Sequence, residues 1–174
     1  IAAIRGHWAE DAVDWAFTTS ITDGCPTLGE VICPELPVTR DEMATFLWRF
    51  RNTPLATVVA SFDDVSADAS YGPAVDWLAE TGVTLGCTTT SYCPTDTVTR
   101  AEMAAFLWRL EGEPIGSPAA GFADVPGGFF AEGAIDWLLA SGTTVGCSTT
   151  AYCPNSLVTR AEMFTFLKRL KEAA

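Results

Sequence analysis

The stretch Val98-Thr99-Arg100-Ala101-Glu102-Met103 decides the fold, because it occurs three times at intervals of 60 residues. It stands earlier as Val38-Thr39-Arg40-Asp41-Glu42-Met43 and later as Val158-Thr159-Arg160-Ala161-Glu162-Met163. In each copy a Trp precedes a Cys by ten residues. A period of this length is typical of proteins that stack one supersecondary unit. We therefore predict a single domain, 1–174, with repeats at 1–51, 61–111 and 121–172.

Each copy of the stretch has the sequence of a helix start. Thr99 and Glu102 make a capping box, in which each side chain satisfies a backbone N–H of the other. The helix then carries one apolar stripe, formed by Met103, Phe106, Leu107 and Leu110. Upstream, Ala74–Leu78 has apolar residues at helical spacing, and Gly82 follows at the position of a C-terminal cap. Each repeat is therefore predicted to be a helix, a loop and a second helix.

A two-helix unit of this size cannot bury its own apolar stripe, whereas three units packed around a shared axis can. The expected fold is therefore mainly α-helical, with three tandem helix-loop-helix repeats, pseudo-threefold symmetry and short extended segments.

The six cysteines fall into three close pairs, one in each repeat. This arrangement indicates three local disulfides formed in an oxidising compartment. The alternative is zinc, which needs four ligands, whereas each repeat offers two thiols and the chain has one histidine, His7. We expect an extracellular protein without a metal, and the disulfides Cys25–Cys33, Cys87–Cys93 and Cys147–Cys153.

The net charge of -12, from 22 acidic and 10 basic residues, argues against nucleic acid and anionic membranes as partners. No apolar run approaches the roughly 20 residues needed to cross a bilayer. The chain begins at Ile1 without a Met or a signal peptide, and we interpret it as part of a larger secreted protein. We expect no membrane insertion and no cofactor.

The order of an aromatic residue, a loop with Gly and Pro, and Thr-Arg-Ala-Glu resembles the S-layer homology repeat of bacterial surface proteins. The tetrapeptide is intact at 99–102 and 159–162, is Thr-Arg-Asp-Glu at 39–42, and His7-Trp8-Ala9 matches the start of the family's first helix. The resemblance covers the whole chain and occurs three times, the usual number for the family. The loop Gly86–Pro94 departs from the family pattern because it contains two cysteines, a variant that looks actinobacterial.

The resemblance implies a non-catalytic anchor at the cell wall or cell surface. It implies a three-pronged domain around a central helical bundle, with grooves between repeats that hold an acidic or pyruvylated cell-wall polysaccharide. The ligand-binding residues expected on this basis are Arg40, Arg100, Arg160, Trp8, Tyr71, Phe130, Gly86 and Gly146. The alternative is an extracellular module for protein–protein interaction or self-assembly that binds no glycan.

The motif Arg needs an anionic partner, because a cation at the first position of a helix is unfavourable by up to about 1 kcal/mol. An internal partner is one explanation, and the candidates are Asp14, Asp76, Asp136, Asp64 and Asp124. The carboxylate of a bound sugar is the other, since the planar guanidinium suits it. Both can hold together, with Asp orienting Arg.

The same alternatives apply to the aromatic residues and the acids. Trp8, Tyr71 and Phe130 either pack in the protein or stack on a pyranose ring. The carboxylates recur at equivalent positions, whereas a catalytic acid and base need different environments. The chain shows no Ser/His/Asp set, and its cysteines look paired rather than nucleophilic. We therefore expect no enzyme activity.

Overall fold

The computed structural model describes residues 4–25 and 32–173. These residues contain six helices and only isolated β-bridges. The helices are α1 (Glu10–Thr18), α2 (Arg40–Phe50), α3 (Gly72–Glu80), α4 (Arg100–Leu110), α5 (Glu132–Ala140) and α6 (Arg160–Ala173). None of these helices is long and apolar enough to cross a membrane. The mainly α-helical class predicted from the sequence is confirmed.

The motif helices α2, α4 and α6 begin at the motif Arg because the preceding Thr caps them. In α4 the Glu102 N–H donates to Thr99 Oγ1 at 3.3 Å, and the Thr99 N–H donates to Glu102 Oε2 at 2.8 Å. The same two bonds link Thr159 and Glu162 in α6, at 3.2 and 2.9 Å. The capping box is also present in α2. This part of the sequence prediction is confirmed.

The helices pair between repeats rather than within them. Helix α3 packs on α2, α5 packs on α4, and α1 packs on α6. The first helix of each repeat therefore lies against the second helix of the preceding repeat, and the N-terminal helix closes the arrangement against the C-terminal one. These three pairs are the three prongs of the fold.

A ring of backbone hydrogen bonds joins the repeats at the motif Val. The Val38 N–H donates to Val158 O, the Val158 N–H to Val98 O, and the Val98 N–H to Val38 O, each at 2.9 Å. All three valines are fully buried. Antiparallel bridges flank the ring at Pro37–Thr159, Thr39–Thr97 and Thr99–Leu157. The chain before each motif helix is thus bonded to the other two repeats, which explains why the helices pair across repeats. The single domain and its repeat bounds remain a prediction.

The core lies between the motif helices and the helices packed on them. The motif helices contribute fully buried side chains, which include Met43, Met103, Met163, Leu47, Leu107, Leu167 and the larger Phe164. Phe46 of α2 meets Phe164 of α6 edge to face, with ring centroids 5.0 Å apart. The indole N–H groups of Trp48 and Trp108 each donate at 2.8 Å to a proline carbonyl six residues on, which holds the chain as it leaves each helix.

All three predicted disulfides are present, one in each repeat loop. The Cα atoms are 5.6 Å apart in Cys25–Cys33 and 6.0 Å apart in both Cys87–Cys93 and Cys147–Cys153. These distances lie in the ordinary range for a disulfide. The interpretation of the cysteines as disulfide pairs is confirmed.

Candidate functional site

Three surface grooves surround the central ring, and each contains one motif Arg. We name them the Arg40, Arg100 and Arg160 grooves, with volumes of about 110, 160 and 310 Å³. Each groove takes its Arg from one repeat, a Thr-x-Gly segment and a motif helix from the next, and an aromatic residue from the third. All three repeats therefore contribute to every groove.

Arg100 shows how a motif Arg is held. Its side chain is 5% exposed, its Nε donates to Tyr152 O at 2.9 Å, and its Nη1 donates to Glu162 Oε1 at 2.8 Å. The Tyr152 hydroxyl donates back to Arg100 O at 3.0 Å. The guanidinium lies over the rings of Tyr152 and Phe166, 4.9 and 5.4 Å from their centroids. The side chain thus joins the second repeat to the third.

Arg40 makes the equivalent joint between the first two repeats, but less completely. Its Nε donates to Tyr92 O at 2.7 Å, and the Tyr92 hydroxyl donates back to Arg40 O at 2.7 Å. Its Nη1 lies 4.0 Å from Glu102 Oε1, a looser ion pair than that of Arg100. Its Nη2 is buried and has no hydrogen-bond partner among residues 4–25 and 32–173.

Arg160 is held differently, because Ile32 stands where the other loops have a Tyr. Its Nη1 pairs with Glu42 Oε1 at 2.5 Å, and its Nη2 donates to Gly24 O at 2.7 Å and to Thr22 Oγ1 at 3.2 Å. Burial lowers the pKa of Arg160, and the charge of Glu42 opposes that shift. The first repeat therefore binds Arg160 through its Thr-x-Gly segment, whereas the second and third repeats each bind the Arg of the preceding repeat through a tyrosine.

The ion-pair partner of each motif Arg is a glutamate, whereas four of the five aspartates suggested by the sequence accept from backbone N–H groups. In the second and third motif helices one carboxylate oxygen of this Glu caps the helix, while the other faces the Arg of the preceding repeat. Asp76 and Asp136 instead accept from the backbone N–H of Ala60 and Ala120, both at 2.8 Å. The capping Glu therefore has a second role that local spacing did not reveal.

Asp64 and Asp124 accept hydrogen bonds from the backbone of the second and third disulfide loops. Asp64 accepts from the N–H groups of Tyr92 and Cys93, both at 2.7 Å. Burial raises the pKa of Asp64, but these bonds and the charge of Arg40 outweigh it and keep the pKa below its usual value. Asp124 has the same environment in the third repeat. These aspartates position the tyrosine carbonyls that the motif Arg binds.

Gly86 and Gly146 line the Arg40 and Arg100 grooves, but the geometry of their own loops is sufficient to require glycine at both positions. Gly86 has a φ of +82°, and a Cβ there would lie 2.5 Å from Thr88 O and 2.6 Å from Ser91 O. Its N–H donates to Thr84 Oγ1 at 3.2 Å. Gly146 has the same geometry. The absence of a side chain is required by the loop, whether or not a ligand approaches.

Replacing Gly86 with Ala is expected to destabilise the protein by about 2 kcal/mol or more, from the left-handed backbone and the forced movement of two carbonyls. Gly82→Ala is the matched control, because Gly82 has a φ of +74° with nothing within 4 Å of the added Cβ. Its cost is expected near 1 kcal/mol. Urea denaturation measures both values, and equal costs would show that the close contacts at Gly86 relax freely.

The predicted aromatic residues lie at the groove edges. Trp8 borders the Arg100 groove, Phe130 the Arg40 groove and Tyr71 the Arg160 groove. Trp8 and Phe130 are 64% and 67% exposed, whereas Tyr71 is half-buried. The structure therefore distributes all eight predicted ligand-binding residues over the three grooves, and their roles in binding remain a prediction.

A second arginine in each groove was missed by the sequence analysis. Arg49, Arg109 and Arg169 are partly exposed and lie nine residues after the motif Arg, so the 60-residue period was the signal. Arg49 pairs with Asp23 at 2.5 Å. Leu85 and Val145 replace that aspartate in the other repeats, and Arg109 and Arg169 have no acidic partner in the described part of the chain.

The chemistry available in these grooves is charge and apolar contact. Among the described residues, no group of three or more His, Cys, Asp or Glu side chains is placed to hold a metal ion. What the grooves offer is arginine donors beside aromatic rings, an arrangement that suits a ligand with an anionic group and an apolar face.

Comparison with known proteins gives a family match for part of the chain. Residues 61–104 match the sequence model of the S-layer homology domain. The chain is 26% identical over 167 residues to an S-layer protein of Bacillus thuringiensis subsp. finitimus, covering 94% of the chain and 20% of that protein. It is 32% identical over 113 residues to a cell surface protein of Thermoanaerobacter kivui, covering 62% of the chain and 15% of that protein.

An enzyme carries a similar segment. The chain is 34% identical over 103 residues to endo-1,4-beta-xylanase A of Thermoanaerobacterium saccharolyticum, covering 59% of the chain and 9% of that protein. The chain thus spans a fifth or less of the length of each of these relatives. The family match in the second repeat, the likeness to surface proteins and the three disulfide-closed loops agree with the resemblance of the motif to the S-layer homology repeat.

Proposed function

We propose that this chain anchors a larger secreted protein to the cell wall by binding an acidic wall polysaccharide in grooves between its repeats. The observation that carries the proposal is the pairing, in one groove, of arginine donors with an exposed aromatic ring. The match of residues 61–104 to the S-layer homology domain and the likeness to surface proteins support a location at the cell surface. Similar segments in an S-layer protein, a cell surface protein and a xylanase support a shared attachment role that is independent of what is attached.

The groove chemistry fits an acidic sugar. Arg109 and Arg169 present planar guanidinium groups that can donate two parallel hydrogen bonds to a carboxylate. The rings of Trp8 and Phe130 offer exposed apolar faces on which a pyranose can lie. Each of these grooves therefore has one element for the charge of the ligand and one for its ring.

The same grooves argue for a module without catalytic activity. Hydrolysis of a glycosidic bond ordinarily needs two carboxyl groups with different environments. The described residues supply a single carboxylate to the Arg40 groove, Glu102, and a single one to the Arg100 groove, Glu162. Each is already committed to a helix cap and faces a motif Arg. The grooves are built to hold a ligand rather than to cleave it.

The test is retention of the purified chain on isolated cell-wall sacculi, before and after chemical removal of the polysaccharide that is not peptidoglycan. We expect retention on intact sacculi, loss of retention after stripping, and competition by the released polymer. Retention that survives stripping would assign the binding to peptidoglycan or protein. A chain that does not bind sacculi but binds a surface protein saturably would support the alternative of a protein–protein interaction module.

A further inference from the structure

We infer that the anionic groups of the ligand bind in the Arg40 and Arg100 grooves and not in the Arg160 groove. The inference rests on the proposed function and states which of the three related grooves carry it. It depends on residues that differ between the repeats, whereas the motif itself is nearly the same in all three.

The charge of the groove lining separates the Arg160 groove from the other two. Among the described residues each groove has two arginines, but the Arg160 groove adds three acids, whereas the others add one each. The additional acids are Asp23 and Asp41. The equivalent positions hold Leu85 and Ala101 in the second repeat and Val145 and Ala161 in the third. An anionic ligand therefore meets a net positive lining in two grooves and a net negative lining in the Arg160 groove.

The second arginine is neutralised only in the Arg160 groove. Arg49 Nη2 lies 2.5 Å from Asp23 Oδ2, so a ligand carboxylate would have to displace an internal one. Arg109 and Arg169 form no ion pair within residues 4–25 and 32–173. Their guanidinium groups are the charged donors left for a ligand.

The motif arginines do not separate the grooves in this way. Arg40 Nη2 and Arg160 Nε are both buried without a hydrogen-bond partner in the described part of the chain, whereas Arg160 Nη2 donates to Gly24 O at 2.7 Å. The selection of grooves therefore rests on the charge of the lining and on the second arginine of each groove.

The residues at the groove rims also differ between the Arg160 groove and the other two. Leu85 and Phe130 border the Arg40 groove and are 68% and 67% exposed, and Val145 and Trp8 border the Arg100 groove at 65% and 64%. At the Arg160 groove Asp23 replaces the aliphatic residue. Burial and the nearby charges of Asp41 and Asp64 raise the pKa of Tyr71 at this rim, in keeping with a negative environment. The two selected grooves therefore fit a ligand with an acidic group on an apolar ring face.

The volumes of the grooves would favour binding in the Arg160 groove, but charge outweighs volume for an anionic ligand. The Arg160 groove is the largest, at about 310 Å³ against about 160 and 110 Å³. Additional volume supplies no donor for an anion, whereas two added carboxylates repel it. Size alone would select the groove least suited to an acidic ligand.

The experiment compares three matched variants on intact sacculi, Arg109→Gln, Arg169→Gln and Arg49→Gln. The first two are each expected to weaken retention about tenfold, because each removes a charged donor for a ligand carboxylate. Arg49→Gln is expected to change retention less than about twofold. The double variant Asp23→Leu/Asp41→Ala gives the Arg160 groove the charge of the others and is expected to strengthen retention. Equal losses in all three arginine variants would overturn the inference.

A second probe keeps the inference separate from the proposed function. Glucuronate, a defined acidic sugar, is titrated into the chain while the side-chain Nε–Hε NMR signals of the arginines are followed. Shifts at Arg109 and Arg169 without a shift at Arg49 support the inference. A shift at Arg49 equal to the others, or no shift at any of them, overturns it. Failure of the wild-type chain to bind sacculi counts against wall anchoring, and the glucuronate result then decides the groove selection independently.

Discussion

Reduction of the three disulfides is expected to lower the free energy of unfolding by about 6 kcal/mol. The bridges close loops with sequence separations of 8, 6 and 6 residues. In the chain-entropy treatment a loop of this size contributes about 2 kcal/mol, by restricting the unfolded chain. Domains are typically stable by only about 5 to 15 kcal/mol, so the reduced chain is expected to be marginal or unfolded at 37 °C.

The location of the loops gives a second reason to expect destabilisation on reduction, and this reason concerns the folded state. The loops closed by the second and third bridges supply the Tyr92 and Tyr152 carbonyls that accept from Arg40 and Arg100. A loosened loop would therefore also loosen the joint to the preceding repeat. We expect reduction to destabilise the contacts between repeats together with the loops themselves.

Guanidinium unfolding with and without dithiothreitol measures this effect, and a free-thiol assay confirms complete reduction. The matched control is the double variant Cys87→Ser/Cys93→Ser, which removes one bridge and is expected to cost about 2 kcal/mol. An unchanged unfolding midpoint after complete reduction would contradict the prediction, and would mean that the helical core alone fixes the fold.

Local spacing in the sequence predicted the motif helices, their caps and the disulfides. Thr99 and Glu102 are three residues apart, and each cysteine pair lies within one loop, so the interacting groups are close in the chain. The 60-residue period also predicted the symmetry. The motif helices, their caps and the disulfides are confirmed because they depend on contacts that a short stretch of sequence contains.

Contacts between repeats could not be read in the same way. Glu162 lies 62 residues from its partner Arg100, and the capping role already explained its presence. The pairing of α1 with α6 joins opposite ends of the chain. The difference between Asp23 and its counterparts Leu85 and Val145 is visible in the sequence, but its meaning depends on knowing that these positions face a groove.

Arg100→Ala is expected to destabilise the protein by about 3 kcal/mol. The change removes an ion pair with a partly buried Glu162 and leaves the carbonyl of fully buried Tyr152 without its donor. It also removes a cation lying over two rings. A buried acceptor without a partner and a charge without a counterion are both costly, so the effects act in the same direction.

Urea unfolding of Arg100→Ala, Glu162→Gln and the double variant measures the effect and its origin. We expect a coupling energy of about 1 to 2 kcal/mol between the two positions. Arg109→Ala is the matched control, because this partly exposed arginine has no acidic partner in the described residues and is expected to change stability by less than about 0.5 kcal/mol. Equal effects of Arg100→Ala and Arg109→Ala would show that the motif Arg is not a structural joint.

The same measurement decides how binding experiments on this chain are interpreted. The Arg100 guanidinium both joins two repeats and lines a groove, so loss of wall retention in Arg100→Ala has two explanations unless the stability of the variant is known. Arg109 lines the Arg40 groove without joining repeats, and its replacement changes the charge of the groove alone. If Arg100→Ala remains folded at the assay temperature yet loses retention to the same extent as Arg109→Gln, the motif Arg has a direct role in binding in addition to its structural one.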